Sequence, residues 1–379
     1  MKKPNVSFVI PCLNEEKTLP YVLEKLVRIK DEYSKKMDIE ILVSDNGSTD
    51  KSISIAKKFG VRVAPAKERG YGAALDSGIR NAKGDIIVFA DADDTYDFLE
   101  APALILKLVE GNYDMVIGSR LDGEIHKGAM PFLHRYLGTP VINWIINLLY
   151  SKKFKIRDSN SGFRCFRKDK YLSWDIKSKG MEFASELLIK ALLHESKMEH
   201  VPVSLYPDKE GRIPHLKTWR DGMRHLLRIL FYAPHLFERC GLVLFTFFWL
   251  QLLVGFFVGK VISIAGMNLY GIHSMVFFSF LSILGLSLWG TGLLIATKQP
   301  RISKMYQSIL SMEEDRLFFV LLSGLGIIAL AIVLVFLQWQ KSGFIFINLE
   351  REFIVATNLS LTLFIFALQA VTAHIIKRD

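Results

Sequence analysis

The strongest constraint on the fold of this 379-residue chain is the apolar character of its C-terminal part. Four stretches there are long and apolar enough to cross a bilayer, which takes roughly 20 residues of helix. They cover approximately residues 241–264, 272–296, 317–338 and 353–376. Such runs, separated by short loops, rarely occur in soluble proteins. The sequence therefore predicts an all-α membrane domain of about four transmembrane helices over residues 239–379, preceded by a charged, water-soluble domain.

Basic residues in the loops between these stretches predict how the chain is oriented in the membrane. They lie between the second and third stretches and at the C-terminus, and comprise Lys298, Arg301, Lys304, Arg316, Lys377 and Arg378. Loops rich in lysine and arginine stay on the cytoplasmic side. We therefore expect a multi-pass plasma membrane protein with an even number of spans and a cytoplasmic N-terminal domain. Residues 1–5 lead into a strand and do not resemble a signal peptide.

The N-terminal domain shows an alternation of short apolar runs and amphipathic segments. The apolar runs, each typical of a buried strand, cover residues 6–10, 39–43, 61–63, 85–90 and 114–117. Between the first two, a helix is predicted from about residue 17 to residue 30, because apolar residues recur at intervals of three and four. Strands that alternate with helices form parallel sheets, which bind ligands beyond the carboxyl ends of their strands. The predicted fold class is therefore α/β.

Two aspartates one residue apart, Asp91 and Asp93, follow the apolar run 85–90. Side chains alternate along a strand, so both carboxylates are expected to point the same way at its end. Two close anions repel each other unless a cation lies between them, and carboxylate oxygens suit Mg²⁺ or Mn²⁺. Such an ion could hold a diphosphate as it leaves. The alternative is an ordinary acidic loop, but Glu15 and Asp45 also follow strands, and their convergence on one edge favours a site.

A set of short motifs resembles family 2 glycosyltransferases of the GT-A fold. The motifs are residues 11–16 (PCLNEE), 43–50 (VSDNGSTD), 70–72 (GYG), 91–93 (DAD) and 118–120 (GSR). Residues 158–164 (DSNSGFR) resemble a segment of the dolichol-phosphate mannosyltransferase branch, which has bacterial polyprenyl-phosphate relatives. The resemblance covers roughly residues 5–230 and implies a GT-A domain with a mostly parallel sheet over residues 1–207. The membrane part carries no matching motif.

The resemblance implies an inverting glycosyltransferase that moves a sugar from a nucleotide-diphosphate sugar to a polyprenyl phosphate, such as undecaprenyl or dolichyl phosphate. It also implies a Mg²⁺ or Mn²⁺ ion held by Asp91 and Asp93. The residues expected to bind the donor nucleotide are Pro11, Asn14, Glu15, Asp45, Lys67 and Arg69. A carboxylate suits this task because it accepts hydrogen bonds from ribose hydroxyls and base N–H groups. The alternatives are a turn-forming role for Asp45 and a solvated basic turn at residues 67–69.

The acceptor side is expected to be rich in positive charge. A hydroxyl acceptor needs a general base, whereas a phosphate is already an anion and needs cations that hold it. The residues expected to bind the acceptor phosphate are Arg120, Arg135, Thr139, Arg212 and Lys217. Arg120 is also expected to be catalytic, together with Asp91 and Asp93. The alternative is that one or both of Arg120 and Arg135 pair with carboxylates of the fold.

Two glutamates, Glu182 and Glu186, are expected on one face of a helix because they lie four residues apart. If the acceptor were a sugar hydroxyl, one of them could act as the general base. If the acceptor is a phosphate, the expected role of these residues is structural.

Residues 208–238 connect the two parts and are expected to contain a polar loop and an amphipathic helix. The apolar face comprises Leu216, Trp219, Met223, Leu226, Leu227 and Leu230, and the basic flank comprises Lys217, Arg220, Arg224 and Arg228. This pattern is typical of a helix at the membrane surface, with cations near anionic lipid head groups. The alternative is a helix packed within the protein. Residues 140–150 are apolar nearly all round, so they are expected either against the sheet or on the membrane.

The formal net charge of +10 calls for anionic partners or reflects the basic cytoplasmic loops. Anionic membrane lipids are the expected partner, and nucleic acid is not, because no aromatic residues are interleaved with the basic clusters. Two other functions remain open. A processive polysaccharide synthase would carry a Q-x-x-R-W motif, which is missing here, and a non-catalytic membrane scaffold would not need the acidic set. The sequence predicts neither the donor base and sugar nor the oligomeric state.

Overall fold

A computed structural model describes residues 3–209, 218–264, 267–343 and 349–378 of the chain. The chain divides into two compact units, Met1–Ile229 and Leu230–Asp379. The first unit contains a mixed α/β sheet, and the second is almost entirely helical.

A seven-stranded sheet forms the centre of the first unit. The strands are β1 (Asn5–Cys12), β2 (Asp38–Asp45), β3 (Arg62–Pro65), β4 (Ile86–Phe89), β5 (Met115–Ser119), β6 (Arg164–Arg167) and β7 (Met198–Pro202). Their order across the sheet is β3-β2-β1-β4-β6-β5-β7. All neighbouring strands are parallel except that β6 runs antiparallel to both β4 and β5. The predicted α/β class with a mostly parallel sheet is confirmed.

Helices cover this sheet and connect its strands. They are α1 (Leu19–Tyr33), α2 (Ser52–Lys58), α3 (Tyr71–Asn81), α4 (Ala101–Glu110), α5 (Thr139–Tyr150), α6 (Lys168–Trp174), α7 (Phe183–Leu193) and α8 (Thr218–Phe231). A short 3-10 turn, Phe98–Glu100, precedes α4, and a π-helical segment, His134–Gly138, precedes α5. The core forms between α1, α4 and one face of the sheet, where Phe8, Leu23 and Leu104 are fully buried.

The antiparallel strand β6 determines what lies beside the end of β4. Phe89, the last residue of β4, pairs with Arg164, the first residue of β6. Because the two strands run in opposite directions, the chain that enters β6 comes to the edge where β4 ends. Residues 158–163 therefore join the carboxyl ends of β1, β2 and β4. Neither β6 nor β7 follows from the apolar runs noted in the sequence.

The second unit contains four helices that are long and apolar enough to cross a membrane. Its elements are α9 (Pro234–Val258), β8 (Ile262–Ile264), β9 (Met267–Leu269), α10 (Ile272–Ala296), α11 (Lys304–Leu310), α12 (Glu314–Lys341) and α13 (Glu350–Arg378). The first apolar helix is placed earlier than the stretch 241–264 noted in the sequence. It ends at Val258 because Gly259 adopts a left-handed conformation, with φ of 66°, that caps the helix.

Close packing of α9 against α10 depends on glycines. A methyl group added at Gly241 would overlap the backbone of Gly285 and Trp289, and one added at Gly285 would lie 2.9 Å from the Gly241 carbonyl oxygen. Small residues let helix backbones approach closely in a membrane, where packing contacts replace the hydrophobic effect as the source of association. The missing side chains of these glycines therefore allow the two helices to pack closely.

We predict that Gly285→Ala destabilises the protein while Gly326→Ala does not. Both glycines lie inside apolar helices, but a methyl group at Gly326 would meet no atom within 4 Å. Forcing extra atoms into a packed interface costs roughly 1–3 kcal/mol. Thermal unfolding in detergent measures the difference. Equal melting temperatures for the two variants would contradict the close contact of α9 and α10.

Candidate functional site

A cavity of about 1260 Å³ opens at the carboxyl ends of the central strands. Its walls include Pro11 near the end of β1, Asn14 and Asn46 after β1 and β2, Asp91 after β4 and Arg120 after β5. Pockets for one small ligand usually measure roughly 300–1,000 Å³. The cavity is therefore large enough for two substrates to meet.

Asp91 and Asp93 both line this cavity. Strand β4 ends at Phe89, so the two aspartates lie in the turn that follows, and strand alternation does not set their direction. Hydrogen bonds do so instead. The Tyr71 hydroxyl donates to Asp91 Oδ1 at 2.8 Å, and the Thr95 amide and hydroxyl donate to Asp93 Oδ1 at 3.0 and 2.7 Å.

The neighbouring acid, Asp94, is engaged elsewhere. Its carboxylate pairs with Lys25 at 2.8 Å and with Lys209 at 3.1 Å, and its backbone is left-handed with φ of 61°. The turn thus separates its three acids. Two are presented to the cavity, and the third ties the turn to α1 and to the segment that follows β7.

The chemistry of Asp91 and Asp93 fits a divalent cation that is shared with a substrate. Within the described residues, no group of three or more His, Cys, Asp or Glu side chains could hold a metal by itself. Mg²⁺ is usually bound by one or two carboxylates together with substrate phosphates and not by a cage made only of protein. Two aspartates on one cavity wall match this arrangement, provided that a diphosphate completes the coordination.

Gly162 keeps the Asp91 carboxylate in place from the opposite side. A methyl group built on Gly162 would lie 2.6 Å from Asp91 Oδ2 and 3.3 Å from the Tyr96 ring. The Gly162 amide donates to the Tyr96 hydroxyl at 2.8 Å, which holds the glycine where it is. A side chain at this point would have to displace the Asp91 carboxylate. The segment 158–164 was noticed in the sequence, but this contact depends on the antiparallel pairing of β6 with β4.

Four of the residues expected to bind the donor nucleotide line the cavity: Pro11, Asn14, Glu15 and Arg69. Asn14 adopts a left-handed backbone with φ of 55°, and its Oδ1 accepts from the Thr49 amide at 2.8 Å. The Thr18 hydroxyl donates to Glu15 Oε2 at 2.7 Å. The Asn14 bond joins the end of β1 to the loop after β2, whereas the Glu15 bond is local to the segment after β1.

Asp45 and Lys67 are not among the described residues that line the cavity, whereas Arg69 is. The two carboxylate oxygens of Asp45 accept from the amides of Gly47 and Ser48, each at 3.1 Å. Asp45 therefore shapes a turn whose Asn46 and Gly47 form the wall. This is the turn-forming alternative for Asp45, and its contact with a nucleotide stays a prediction.

Arg120 lines the cavity but is paired with a buried acid. Its Nε and Nη2 donate to Asp158 Oδ2 and Oδ1, both at 2.8 Å, and its amide donates to Oδ2 at 2.9 Å. Burial by itself raises the pKa of the Asp158 carboxyl, but the charge and hydrogen bonds of Arg120 outweigh burial and lower that pKa. The alternative considered for Arg120, pairing with a carboxylate, is what the structure contains. Arg120 could bind a phosphate only through the guanidinium N–H groups that do not donate to Asp158.

The buried guanidinium of Arg164 organises the same segment. It donates to the carbonyl oxygens of Ser161, Ala184 and Ser159 at 3.1, 2.9 and 2.8 Å. Burial lowers its pKa to about 10, so it stays charged at neutral pH. Arg164 thus fixes the loop that carries Asn160, Ser161 and Gly162 along the cavity wall.

The other residues expected at the acceptor phosphate are spread over different places. Thr139 lines the cavity and is 2% exposed. Arg135 is exposed and is not among the described cavity residues. Its guanidinium carbon lies 5.5 Å from the centroid of the Tyr136 ring. Arg212 and Lys217 lie outside the described residues. The structure therefore brings Arg120 and Thr139, but not Arg135, to the described wall.

Glu182 and Glu186 are likewise absent from the described wall of the cavity. The fully buried Glu186 carboxylate accepts from the amides of Lys177 and Ser178 at 3.2 and 2.6 Å. Glu182 Oε1 accepts from the Gly180 amide at 3.2 Å. Both glutamates therefore have structural contacts, as expected if the acceptor is a phosphate.

Helix α8 contributes wall residues that carry both apolar surface and charge. They are Trp219, Arg220, Asp221, Gly222, Met223, Arg224, His225 and Leu226. Its buried face is anchored by His225, whose Nδ1 lies 2.7 Å from the Ser185 hydroxyl. Sequence patterning indicated an amphipathic helix here, but not that this helix faces the site.

The seven-stranded, mostly parallel sheet with an acidic turn beyond the end of β4 is GT-A-like. Residues 7–172 match the model of glycosyl transferase family 2. The chain is 32% identical over 369 residues to the low-salt glycan biosynthesis hexosyltransferase Agl6 of Haloferax volcanii, covering 93% of this chain and 84% of that protein. The chain therefore belongs to glycosyl transferase family 2, and it is a glycosyltransferase.

Other comparisons agree with this assignment. A dolichyl-phosphate hexose transferase of Haloferax volcanii is 30% identical over 210 residues, covering 55% of this chain and 85% of that protein. The crystal structure of glucosyl-3-phosphoglycerate synthase from Mycobacterium tuberculosis with phosphoglyceric acid matches with a TM-score of 0.50. It is 20% identical, covering 60% of this chain and 79% of that one, so it bears on the fold alone.

We predict that Gly162→Ala lowers the rate of glycosyl transfer by about 10²-fold, because the added methyl group pushes the Asp91 carboxylate out of position. The melting temperature is expected to change little, since the displaced group is the end of a side chain. The matched control is Gly138→Ala, which lies on the same cavity wall and would bring its methyl group no closer than 3.5 Å to the Leu133 carbonyl oxygen. Wild-type turnover in Gly162→Ala would show that the position of Asp91 is unimportant.

Proposed function

We propose that the protein transfers a single sugar from a nucleotide-diphosphate sugar to a polyprenyl phosphate. The observation that carries this proposal is one cavity with an acidic turn, Asp91 and Asp93, on one wall and apolar side chains, such as Leu137 and Trp219, on another. The first wall suits a metal-bound diphosphate, and the second suits a hydrocarbon chain. Four helices long and apolar enough to span a membrane support a lipid substrate.

The donor side is assigned to the ends of β1 and β2 and to the turn after β4. Pro11, Asn14 and Glu15 would contact the nucleotide, with Asp45 shaping the neighbouring turn and Arg69 near the diphosphate. Asp91 and Asp93 would hold Mg²⁺ or Mn²⁺. When bound, such an ion stabilises negative charge on the leaving diphosphate. The 2.8 Å hydrogen bond from Tyr71 orients Asp91 for this task.

The acceptor side needs cations and no general base. A lipid phosphate oxygen attacks the anomeric carbon, the bond from that carbon to the diphosphate breaks, and the nucleoside diphosphate leaves with the electron pair. No proton has to be removed from an anionic acceptor. The Glu186 carboxylate accepts hydrogen bonds from two backbone amides, which agrees with a reaction that needs no general base. Inversion at the anomeric carbon is the expectation for attack from the side opposite the diphosphate.

A membrane position for the catalytic unit is supported by exposed apolar side chains on two of its helical segments. They comprise Phe132, Tyr136, Leu137, Val141, Trp144 and Leu148 on the chain from residue 132 through α5, and Trp219, Met223 and Leu227 on α8. Large exposed apolar patches mark surfaces that bind proteins or membranes. We assign them to the interface of a bilayer that contains anionic lipids. We assign this interface to the cytoplasmic face of the plasma membrane, because loops rich in lysine and arginine stay on that side.

Incubation of the purified full-length protein with polyprenyl phosphate, Mn²⁺ and a panel of labelled nucleotide sugars tests the proposal. One donor is expected to yield a lipid carrying one sugar. Polyprenol without its phosphate is the matched control and is expected to accept no sugar. A long polymer would indicate a processive synthase. Equal transfer to the phosphate and to the alcohol, or no transfer with any donor, would contradict the proposal.

A further inference from the structure

Four arginines line the cavity among the described residues. Arg69 lies on the donor side, where its Nε would be 3.8 Å from a methyl group built on Gly47. Arg120 is committed to Asp158 through two side-chain hydrogen bonds of 2.8 Å. The remaining arginines, Arg220 and Arg224, belong to α8. These two arginines are therefore the described cavity cations that neither lie on the donor side nor pair with Asp158.

The two histidines on the wall do not add positive charge at neutral pH. Burial lowers the pKa of His134, and the nearby charge of Arg120 lowers it further. Burial also lowers the pKa of His225, which is hydrogen-bonded to Ser185. Both imidazoles are therefore neutral, and the charge on this side of the cavity is carried by arginine.

Helix α8 is held in a way that presents Arg220 and Arg224 outward. Its buried positions are Asp221, His225 and Ile229, four residues apart, and the Tyr150 hydroxyl donates to the Ile229 carbonyl oxygen. Positions 220 and 224 lie next to this buried stripe and one helical turn apart. Their side chains remain 53% and 49% exposed.

The buried carboxylate of Asp221 lies beneath both guanidinium groups. Its Oδ1 is 3.4 Å from Arg220 Nε and 3.7 Å from Arg224 Nη1. A guanidinium carries five N–H donors, so one carboxylate contact does not exhaust either side chain. Two arginines and one aspartate leave a net positive charge that a phosphate monoester can neutralise.

We propose that Arg220 and Arg224 bind the terminal phosphate of the acceptor lipid. This inference rests on the proposed function and adds the residues that receive its acceptor. The planar guanidinium groups of two arginines one helical turn apart suit a phosphate group. Each guanidinium can donate two parallel hydrogen bonds to phosphate oxygens.

The apolar neighbours of the two arginines favour the lipid acceptor over the nucleotide donor. Trp219, Met223 and Leu226 line the same part of the cavity, and Trp219 is 83% exposed. A hydrocarbon chain attached to the bound phosphate would cover this surface. A nucleotide would leave it in water. Both arginines also line the cavity itself, which distinguishes them from cations that meet only the head groups of the surrounding bilayer.

The test compares R220Q/R224Q with R228Q in nanodiscs made of zwitterionic phosphatidylcholine. Arg228 is on the same helix, one turn beyond Arg224, and is not part of the described cavity wall. Loss of a charged hydrogen bond corresponds to about tenfold or more in affinity for each arginine. The double variant is therefore expected to raise the KM for polyprenyl phosphate by about 10²-fold, with the KM for the nucleotide sugar unchanged. R228Q is expected to behave like the wild type.

Three outcomes would overturn the inference. A rise in the KM for the nucleotide sugar alone would place the arginines on the donor side. An equal loss in R228Q, or a loss seen only when phosphatidylglycerol is added to the nanodisc, would show a general attraction to anionic bilayer lipids.

Equilibrium binding of a labelled short-chain polyprenyl phosphate, without donor or metal, separates this inference from the proposed function. Wild-type protein is expected to bind the labelled lipid, and R220Q/R224Q is expected to lose that binding while R228Q keeps it. If this pattern holds but no donor supports transfer, the arginine site stands and the proposed reaction fails. If transfer occurs and the double variant binds the lipid normally, the arginine site is wrong and the reaction stands.

Discussion

The direction of the strands around β4 is the constraint on which the site depends. β1, β2 and β4 run parallel, so their carboxyl ends meet at one edge, and the antiparallel β6 brings the chain before Arg164 to the same edge. In this geometry the Tyr71 hydroxyl donates to Asp91 at 2.8 Å, and Gly162, which has no side chain, leaves room for the Asp91 carboxylate. Two carboxylates supply only part of the ligands of a divalent cation, so substrate phosphates could supply others.

Local patterns in the sequence predicted the first half of this arrangement. The apolar spacing of α1 indicated its buried face, and Leu19, Val22, Leu23 and Leu26 are buried in the structure. The alternation of strands and helices predicted the parallel β1, β2 and β4, and with them the meeting of residues after those strands. The length of the C-terminal apolar stretches predicted four helices. Each of these features depends on residues that are close along the chain.

Contacts between distant segments could not be predicted in the same way. Arg120 and Asp158 are 38 residues apart, and their pairing follows from the insertion of β6 between β4 and β5. The sequence pattern suggested that Arg120 was available to a phosphate. It could not show how many N–H donors of the Arg120 guanidinium are already bonded to Asp158. Likewise, the charged flank of α8 was visible, whereas the position of Arg220 and Arg224 on the cavity wall depends on how α8 packs against Ser185 and Tyr150.

The proposed transfer requires a cation held by Asp91 and Asp93 within reach of a lipid phosphate. The most direct measurement is the rate of sugar transfer to polyprenyl phosphate by the wild type with and without EDTA, beside the D91A/D93A variant. We expect that EDTA stops transfer, that added Mn²⁺ or Mg²⁺ restores it, and that the folded double variant is inactive. Full turnover in EDTA, or by the variant that lacks both carboxylates, would contradict this requirement.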